Sequence, residues 1–356
     1  MRKKTNKKPR PLRKIEELGE FGLIEYLTRQ IKILHPTTIK GIGDDAAVIK
    51  PRRGYLELVS SDMLVEGVHF DLSYFPLKHL GYKMAVVNFS DIYAMNGYAE
   101  QLLVNIAVSN RFSLEALDEL YTGIRLAAER YNVDIVGGDT VSSYKGMILS
   151  GTALGEVKNE RIVFRNGAKP NDLLIVTGDL GAAYAGLLIL LREKETFLAN
   201  PAHQPDLTPY TYVVERQLKP EARKDVIEWL EHNDILPTSM IDISDGLSSE
   251  VIHLMEASGY GVQVYEEKIP IAQETAAALE TFNIHPVTAA LNGGEDYELL
   301  FSIDQKDFEK IKNEPGFHII GHFTEDPGAF LITTANQKIE MKAQGWNAFL
   351  ERRKKK

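Results

Sequence analysis

Apolar residues recur along the chain with two periods, one typical of helices and one typical of strands. Residues 21–33, 77–91, 114–131 and 247–258 have apolar groups at the 3.6-residue spacing of a helix, and a further helix is expected to end near Leu191. Runs rich in β-branched and aromatic residues predict strands over 55–60, 104–108, 133–136, 147–157, 173–177, 240–242 and 297–303. Because strands and helices alternate, the pattern predicts an α/β protein.

A turn-rich stretch interrupts this alternation near the middle of the chain. Residues 165–172 combine Gly, Pro, Asn and Asp, so we place a domain junction at about 158–171. A length of 356 residues also favours two domains. We predict a basic tail over 1–14, an N-terminal domain over 15–160, a C-terminal domain over 161–350 and a basic tail over 351–356.

One carboxylate falls on the apolar stripe of a predicted helix. The stripe is formed by Leu77, Leu80, Met84 and Val87, and the same spacing then reaches Asp91. Burying an unpaired carboxylate is costly, so we expect a cation, a metal ion or a capping group beside Asp91.

The composition is that of a globular protein and excludes several kinds of site. Apolar residues make up 44% of the chain, charged residues 26%, and there is no cysteine. Disulfides, thiolate nucleophiles and cysteine-ligated zinc are therefore excluded, and a cytoplasmic location is expected. No apolar run approaches the roughly 20 residues of a membrane span, and no apolar segment follows the basic N-terminus, so we expect neither membrane association nor a secretory signal.

The charge is distributed unevenly. The formal net charge is −9, although residues 1–14 carry eight Lys or Arg and the last five residues are all basic. The rest of the chain is therefore strongly acidic and will not attract nucleotide phosphates without cations. No aromatic residue interleaves the basic ones, so we expect disordered, solubilising tails and no nucleic-acid partner.

Acidic residues recur where the predicted strands end. The clusters, each next to small residues, are Asp44/Asp45, Asp62, Asp139, Asp242/Asp245 and Glu295/Asp296. A single Asp-Gly pair is ordinarily a turn, but five such clusters favour a cleft lined with carboxylates. Magnesium prefers oxygen ligands and is usually held by a few carboxylates and substrate phosphates. We therefore predict several magnesium ions, which would stabilise charge on a transferring phosphoryl group.

Other catalytic signatures are absent from the sequence. There is no G-x-x-x-x-G-K-[ST] phosphate loop, no H-R-D or D-F-G set, no G-x-S-x-G and no H-E-x-x-H. The Gly41-Ile42-Gly43 run lacks the third glycine of a dinucleotide fingerprint. His69 lies seven residues after Asp62, which is near enough to share the cleft.

Eight short motifs follow one another in order along the chain. They are GEFGLI, GIGDDAAV, SSDMLVEGVHF, AVVNFSDIYAMNG, IVGGDTV, RNGAKPNDLLIVTG, MIDISDGL and NGGEDYEL. Together they resemble the thiamine-monophosphate kinase family, within the aminoimidazole-ribonucleotide-synthetase-like ATP-dependent enzymes, over roughly residues 18–350. Ser61 stands where the family often has threonine, and either hydroxyl can serve.

The resemblance implies transfer of the γ-phosphoryl group of ATP to thiamine monophosphate, giving thiamine diphosphate, with magnesium as cofactor. No side-chain nucleophile is needed, because positioning and charge neutralisation can carry phosphoryl transfer. The implied magnesium ligands are Asp45, Ser60, Ser61, Asp62, Asp91, Asp139, Asp242 and Asp245. The implied ATP contacts are Gly138, Asp139, Arg165 and Ser244. The implied contacts to the thiamine end are His69, Glu295 and Trp346.

The family also implies a fold and a partner. It has a two-domain PurM-like fold in which the N-terminal sheets of two subunits pair into a barrel, so the resemblance implies a homodimer with a C-terminal α/β domain in each chain. The alternatives are another ATP-using enzyme of this superfamily, of purine-pathway or hydrogenase-maturation type, or a catalytically silent nucleotide-binding paralogue. Selenophosphate-synthetase-like and hydrogenase-maturation enzymes would require a cysteine or selenocysteine, and this chain has no cysteine. A silent paralogue predicts a lost metal ligand, yet every expected carboxylate is present.

Overall fold

The computed structural model describes residues 26–40, 48–202 and 204–344. Two of the predicted site residues, Asp45 and Trp346, lie outside these ranges, as do both predicted tails. The helix predicted over 21–33 is wrong at its C-terminal end, because residues 31–35 are not helical. There the backbone N–H groups of Leu34 and His35 donate to the carboxylate of Asp134 instead of continuing a helix.

A four-stranded sheet forms the first half of the described structure. Its strands are β3 (Tyr55–Val65), β4 (Tyr98–Val108), β5 (Asp134–Ser142) and β6 (Ile148–Lys158), after a small hairpin of β1 (Thr38–Lys40) and β2 (Val48–Ile49). The order in the sheet is β3-β6-β4-β5, and only the β4–β5 pair is parallel. Helices α1 (Leu77–Tyr93) and α2 (Leu114–Tyr131) pack together beside this sheet.

Helix α1 is buried on almost every side, so it is not the one-sided amphipathic helix that its apolar stripe predicts. Alongside its apolar residues it buries Lys83, Asn88 and Ser90. Gly81 lets α2 approach closely, because a Cβ atom there would lie 2.0 Å from the carbonyl oxygen of Leu120. The close packing of α1 and α2 leaves the polar side chains of α1 in the interior, where each needs a hydrogen-bond partner.

A seven-stranded sheet forms the second half. Its strands are β7 (Leu173–Thr177), β8 (Ser239–Asp242), β9 (Gly261–Tyr265), β10 (Leu299–Ile303), β11 (Phe317–Thr324), β12 (Ala329–Ile332) and β13 (Lys338–Glu340). Their order is β13-β12-β9-β11-β7-β10-β8, and only β9 and β12 pair in parallel. The helices of this half are α3 (Ala182–Ala199), α4 (Thr211–Leu218), α5 (Lys224–His232), α6 (Leu247–Ser258), α7 (Gln273–Glu280), α8 (Pro286–Asn292) and α9 (Phe308–Ile311).

The α/β class is confirmed, and the bounds of α2, α6 and β7 are those predicted from the sequence. Three predicted strands are too short, and one of them, β4, begins at Tyr98 rather than at residue 104. β3 continues to Val65 and β5 continues to Ser142, so Asp62 and Asp139 lie inside strands rather than after them. β3 is long because it pairs with β6 over its whole length, which its own residues do not reveal.

The predicted domain boundaries stay a prediction.

No helix in the described ranges combines the length and the apolar character that a membrane crossing requires.

Candidate active site

Three carboxylates from different elements converge where the two sheets meet through α1. Asp62 lies in β3, Asp91 near the end of α1 and Asp242 at the end of β8. The charge of Asp91 acts on Asp62, and both carboxylates lie close enough to Asp242 to influence its charge. Ser60 Oγ donates to Asp91 Oδ2, and Ser90 Oγ donates to Asp242 Oδ2 at 2.6 Å.

The pKa values of this carboxylate cluster, Asp62, Asp91 and Asp242, are raised. Burial, followed by the charge of Asp91, raises the pKa of Asp62 to about 6. Burial, followed by the charge of Asp91, raises the pKa of Asp242 to about 7. Burial also raises the pKa of Asp91, although Ser60 and the positive charge of Arg165 oppose the increase. The cluster therefore has less compensating positive charge than its ionised form requires.

The alternation of β3 decides which of its side chains reach the cluster. Ser60 and Asp62 point to the face that carries α1, where the backbone N–H of Asp62 donates to Asn88 Oδ1 at 2.9 Å. Ser61 points to the opposite face, and its Oγ donates to the carbonyl oxygen of Gly151 at 2.8 Å. The structure therefore does not bring Ser61 together with the other predicted magnesium ligands.

Gly138 and Asp139 lie on β5, at the far side of the same sheet. Strand register aligns Asp62 with Gly138 across β6 and β4, a separation of about 14 Å at ordinary strand spacing. Asp139 is exposed and faces the other side of the sheet. Gly138 has φ +147°, and a Cβ atom there would lie 1.8 Å from the carbonyl oxygen of Val104, so glycine is required. Within one chain, these two residues are not brought to the carboxylate cluster.

The loop after β8 holds the next predicted residues, Ser244 and Asp245. Glu250, in the first turn of α6, accepts hydrogen bonds from the backbone N–H of Asp245 at 2.8 Å and from Ser244 Oγ at 3.4 Å. Burial raises the pKa of Asp245, and burial raises the pKa of Glu250 to about 8. Glu250 was not predicted from the sequence, although an acidic residue in the first turn of a helix is favourable beside the helix N-terminus.

A second group of polar side chains surrounds Glu295. Its Oε1 pairs with Lys83 Nζ at 2.9 Å, and its Oε2 accepts from Gln217 Nε2 at 2.9 Å. His69 Nδ1 accepts from the backbone N–H of Val65 at 3.0 Å. Burial lowers the pKa of His69, although the charge of Glu295 opposes the decrease. Sequence reasoning missed Lys83, whose only signal is a lysine among the apolar residues of α1.

Main-chain hydrogen bonds join the two groups. The backbone N–H of Glu295 donates to the carbonyl oxygen of Ser244 at 2.8 Å, and that of Tyr297 donates to Ile243 at 2.9 Å. After burial, the charges of Glu295 and the carboxylate cluster raise the pKa of Tyr297. The predicted residues that the structure gathers here are Ser60, His69, Asp62, Asp91, Arg165, Asp242, Ser244, Asp245 and Glu295.

The donor chemistry of the cluster suits a hard cation, since its ligating atoms are carboxylate and hydroxyl oxygens. Within the described ranges, no three His, Cys, Asp or Glu side chains are arranged to hold a metal ion by themselves. Magnesium is usually bound by one or two carboxylates together with phosphate and water oxygens, so the residues present fit a shared site with a phosphorylated ligand.

The chain is similar to known proteins over most of its length. Residues 43–157 match the family described as AIR synthase related protein, N-terminal domain, and residues 169–334 match its C-terminal domain. The thiamine-monophosphate kinase of Bacillus subtilis (strain 168) is 34% identical over 340 residues, which covers 93% of this chain and 100% of the relative.

Two solved structures are also similar. AaThiL complexed with AMPPCP and TMP superimposes with a TM-score of 0.73 at 31% identity, covering 94% of this chain and 98% of that chain. The hydrogenase maturation protein HypE of E. coli has a TM-score of 0.71 at 17% identity, covering 90% and 95%, which shows a shared fold alone. Because identity to a full-length relative exceeds 30%, this chain belongs to the thiamine-monophosphate kinase family.

Proposed function

We propose that this chain phosphorylates thiamine monophosphate with ATP. A phosphate oxygen of thiamine monophosphate attacks the γ-phosphorus of ATP, the bond to the β-phosphate oxygen breaks, and ADP and thiamine diphosphate leave. The observation that carries the proposal is the match to AaThiL complexed with AMPPCP, an ATP analogue, and TMP. The phosphate acceptor is already ionised, so no described side chain needs to remove a proton.

The carboxylate cluster is the proposed magnesium site. Asp62, Asp91 and Asp242 would hold the cation with the hydroxyl of Ser60, and Asp245 would hold a further ion. These residues would hold a magnesium ion whose positive charge would offset the negative charge that develops during the transfer. The raised pKa values of Asp62 and Asp242 support this proposal, because they mark a buried acidic cluster that lacks a counter-charge.

The phosphates of ATP and the thiamine end of the acceptor would lie on either side of this cluster. Arg165, whose charge acts on Asp91, would contact ATP phosphates, as would Ser244 in the loop after β8. His69 and Glu295 would hold the thiamine end. Asp45 and Trp346, which lie outside the described residues, remain proposed as a magnesium ligand and a stacking partner for the heterocycle.

We also propose a homodimer. Val59 and Met63 on β3, an edge strand of the described sheet, are 65% and 55% exposed, and Val141 on β5 is 50% exposed. Long edge strands that present apolar groups favour pairing with another chain. Ser61, Gly138 and Asp139, which a single chain keeps apart from the cluster, would be available to a partner on or beside this face. The proposal includes a cytoplasmic location, which rests on the resemblance and on the cysteine-free sequence.

A product-balance assay tests the activity. The chain is incubated with ATP, magnesium and thiamine monophosphate, and ADP and thiamine diphosphate are quantified by chromatography, with EDTA replacing magnesium in a parallel series. Equal amounts of both products, formed only with magnesium, are expected. ATP consumption only with another acceptor would favour a different enzyme of this superfamily, and no turnover with any acceptor would favour the silent paralogue.

Asp62→Asn tests the proposed magnesium site within the same assay. Turnover should fall by at least about 100-fold with the fold retained, because the substitution removes a charge that matters most in the transition state. Asp206→Asn makes the same change at an exposed position and should behave as the wild type. Near-normal turnover of the Asp62 variant would remove its assigned role.

A further inference from the structure

Lys83 is a fully buried lysine that the proposed reaction does not use. Its side chain is 1% exposed, and an ammonium group at such a position is unfavourable unless it is paired and hydrogen-bonded. Its Nζ pairs with Glu295 Oε1 at 2.9 Å, donates to the carbonyl oxygen of Gln217 at 3.1 Å and lies 5.6 Å from the ring centroid of Phe75. Because Lys83 is almost entirely buried, it acts through its neighbours rather than directly on a ligand.

Glu295 is held at both its side chain and its backbone. One carboxylate oxygen pairs with Lys83 from α1, and the other accepts from Gln217 Nε2 of α4 at 2.9 Å. Its backbone has φ +67°, in the left-handed region that non-glycine residues rarely adopt, and its N–H donates to Ser244. Such a conformation persists only where the surroundings impose it and is commonly found at ligand sites.

The arrangement leaves Glu295 able to accept a further hydrogen bond. A carboxylate has about four lone-pair sites, of which Lys83 and Gln217 occupy two. The side chain of Glu295 is 27% exposed, so a ligand can reach it. An amino group on a heterocycle is a donor of the kind that a fixed carboxylate recognises.

We propose that Lys83 is a positioning residue that, together with Gln217, holds the Glu295 carboxylate in the one orientation that accepts a hydrogen bond from the amino-substituted heterocycle of the phosphate acceptor. This inference rests on the proposed function, since it concerns the same substrate. Lys83 and Asp91 are eight residues apart on α1, about 12 Å along the helix axis. One rigid helix therefore sets the distance between the heterocycle end and the carboxylate cluster.

Lys83→Met tests the inference by removing the charge while keeping a long, apolar side chain. KM for thiamine monophosphate should rise roughly tenfold or more, and KM for ATP should change by less than about twofold, because only one substrate contacts Glu295. Lys78→Met makes the same substitution on the exposed side of the same helix and should match the wild type. An unchanged KM for thiamine monophosphate in a folded Lys83→Met protein would overturn the proposal.

Gln217→Met provides a second test, in which the lost bond to Glu295 is offset by the loss of a buried unsatisfied oxygen. Gln217 Oε1 is buried and has no hydrogen-bond partner among the described residues, so replacing the amide removes an unsatisfied group. The Gln217→Met protein should keep its melting temperature and still show a raised KM for thiamine monophosphate. A purely structural role would give the opposite result, with a lower melting temperature and an unchanged KM.

Together with Lys83→Met, the variants Glu295→Gln and Lys83→Met/Glu295→Gln form a double-mutant cycle. If Lys83 acts through Glu295, the double variant should have the same KM for thiamine monophosphate as Glu295→Gln alone. If the separate fold-changes in KM multiply in the double variant, Lys83 acts independently of Glu295, and the proposal is overturned. Wild-type protein that does not convert thiamine monophosphate would reject the proposed function and this inference together, whereas normal wild-type turnover with an unaffected Lys83→Met variant rejects the inference alone.

Discussion

At the scale of single residues, the carboxylate cluster is costly to bury. Asp62, Asp91 and Asp242 are buried beside one another, and the charge of Asp91 makes Asp62 and Asp242 harder to ionise. Ser60 and Ser90 each supply one hydrogen bond, which offsets only part of this cost. A cluster of this kind is favourable in a folded protein when a cation joins it.

Asp91→Asn should increase stability and decrease activity. In metal-free buffer at pH 8, the free energy of unfolding should increase by about 1 kcal/mol, because the substitution removes one of three like charges. Turnover should fall by at least about 100-fold. Urea denaturation and the ADP-release assay measure the two effects, with Asp206→Asn as the control. A less stable variant with normal turnover would contradict this account.

Gly138→Ala should destabilise the four-stranded sheet. The added methyl group would meet the carbonyl oxygen of Val104, and the left-handed backbone disfavours any side chain. We expect a loss of about 2 kcal/mol or more in the free energy of unfolding, measured by urea denaturation. Gly54→Ala is the matched control, since it has φ +87° but open space around its Cβ position, and it should cost less. Equal losses at both positions would show that the contact with Val104 is unimportant.

At the scale of elements, a few side chains tie the segments around α1 to the second sheet and its helices. Asp71, between β3 and α1, accepts hydrogen bonds from Lys194 of α3 and from Ser73 Oγ at 2.6 Å. Burial alone would raise the pKa of Asp71, but the bonds from Lys194 and Ser73 lower this pKa to about 2. The pairing is therefore a connection between segments that depends on pH.

Lys194→Met should destabilise the protein in a pH-dependent manner. Because the folded-state pKa of Asp71 lies below its ordinary value of about 3.9, the pairing stabilises the fold above about pH 4 and is lost as the pH falls towards 2. Both side chains are partly exposed, so we expect a cost of about 0.5 kcal/mol at pH 7 and a smaller cost at pH 3. Urea denaturation at both pH values measures this, with Lys145→Met as the exposed control. Equal costs at both pH values would count against the ion pair.

At the scale of the whole molecule, the outer face of the four-stranded sheet is the feature that a single chain leaves unexplained. Val59, Met63 and Val141 are exposed there, and register places Asp139 on the same face as Met63. An apolar face of this kind is an interaction surface or an aggregation hazard. A second copy would cover it and would bring Asp139 near residues of another chain.

Val59→Lys/Met63→Lys should therefore convert a dimer into monomers. In sedimentation equilibrium, the wild type should show twice the chain mass of 39.9 kDa, and the double variant should show the chain mass. Leu198→Lys, at a position on α3 that is 67% exposed, is the matched control and should remain dimeric. A monomeric wild type would remove the homodimer from the proposal.

The sequence by itself determined the α/β class, the bounds of α2, α6 and β7, the acidic residues and the family. These features are carried by local periodicity, turn residues and short motifs, which are readable without knowing what lies nearby in space. The three Asp residues of the cluster were all named from the sequence, because the motifs contain them.

Only the tertiary structure decided which of these residues meet. The bond from Ser90 to Asp242 joins positions 152 residues apart, and the ion pair of Lys83 with Glu295 joins two halves of the chain. The length of β3, and with it the opposite facing of Ser61 and Asp62, follows from pairing with β6. Such contacts depend on sheet register and helix packing between distant segments, and no local period in the sequence encodes them.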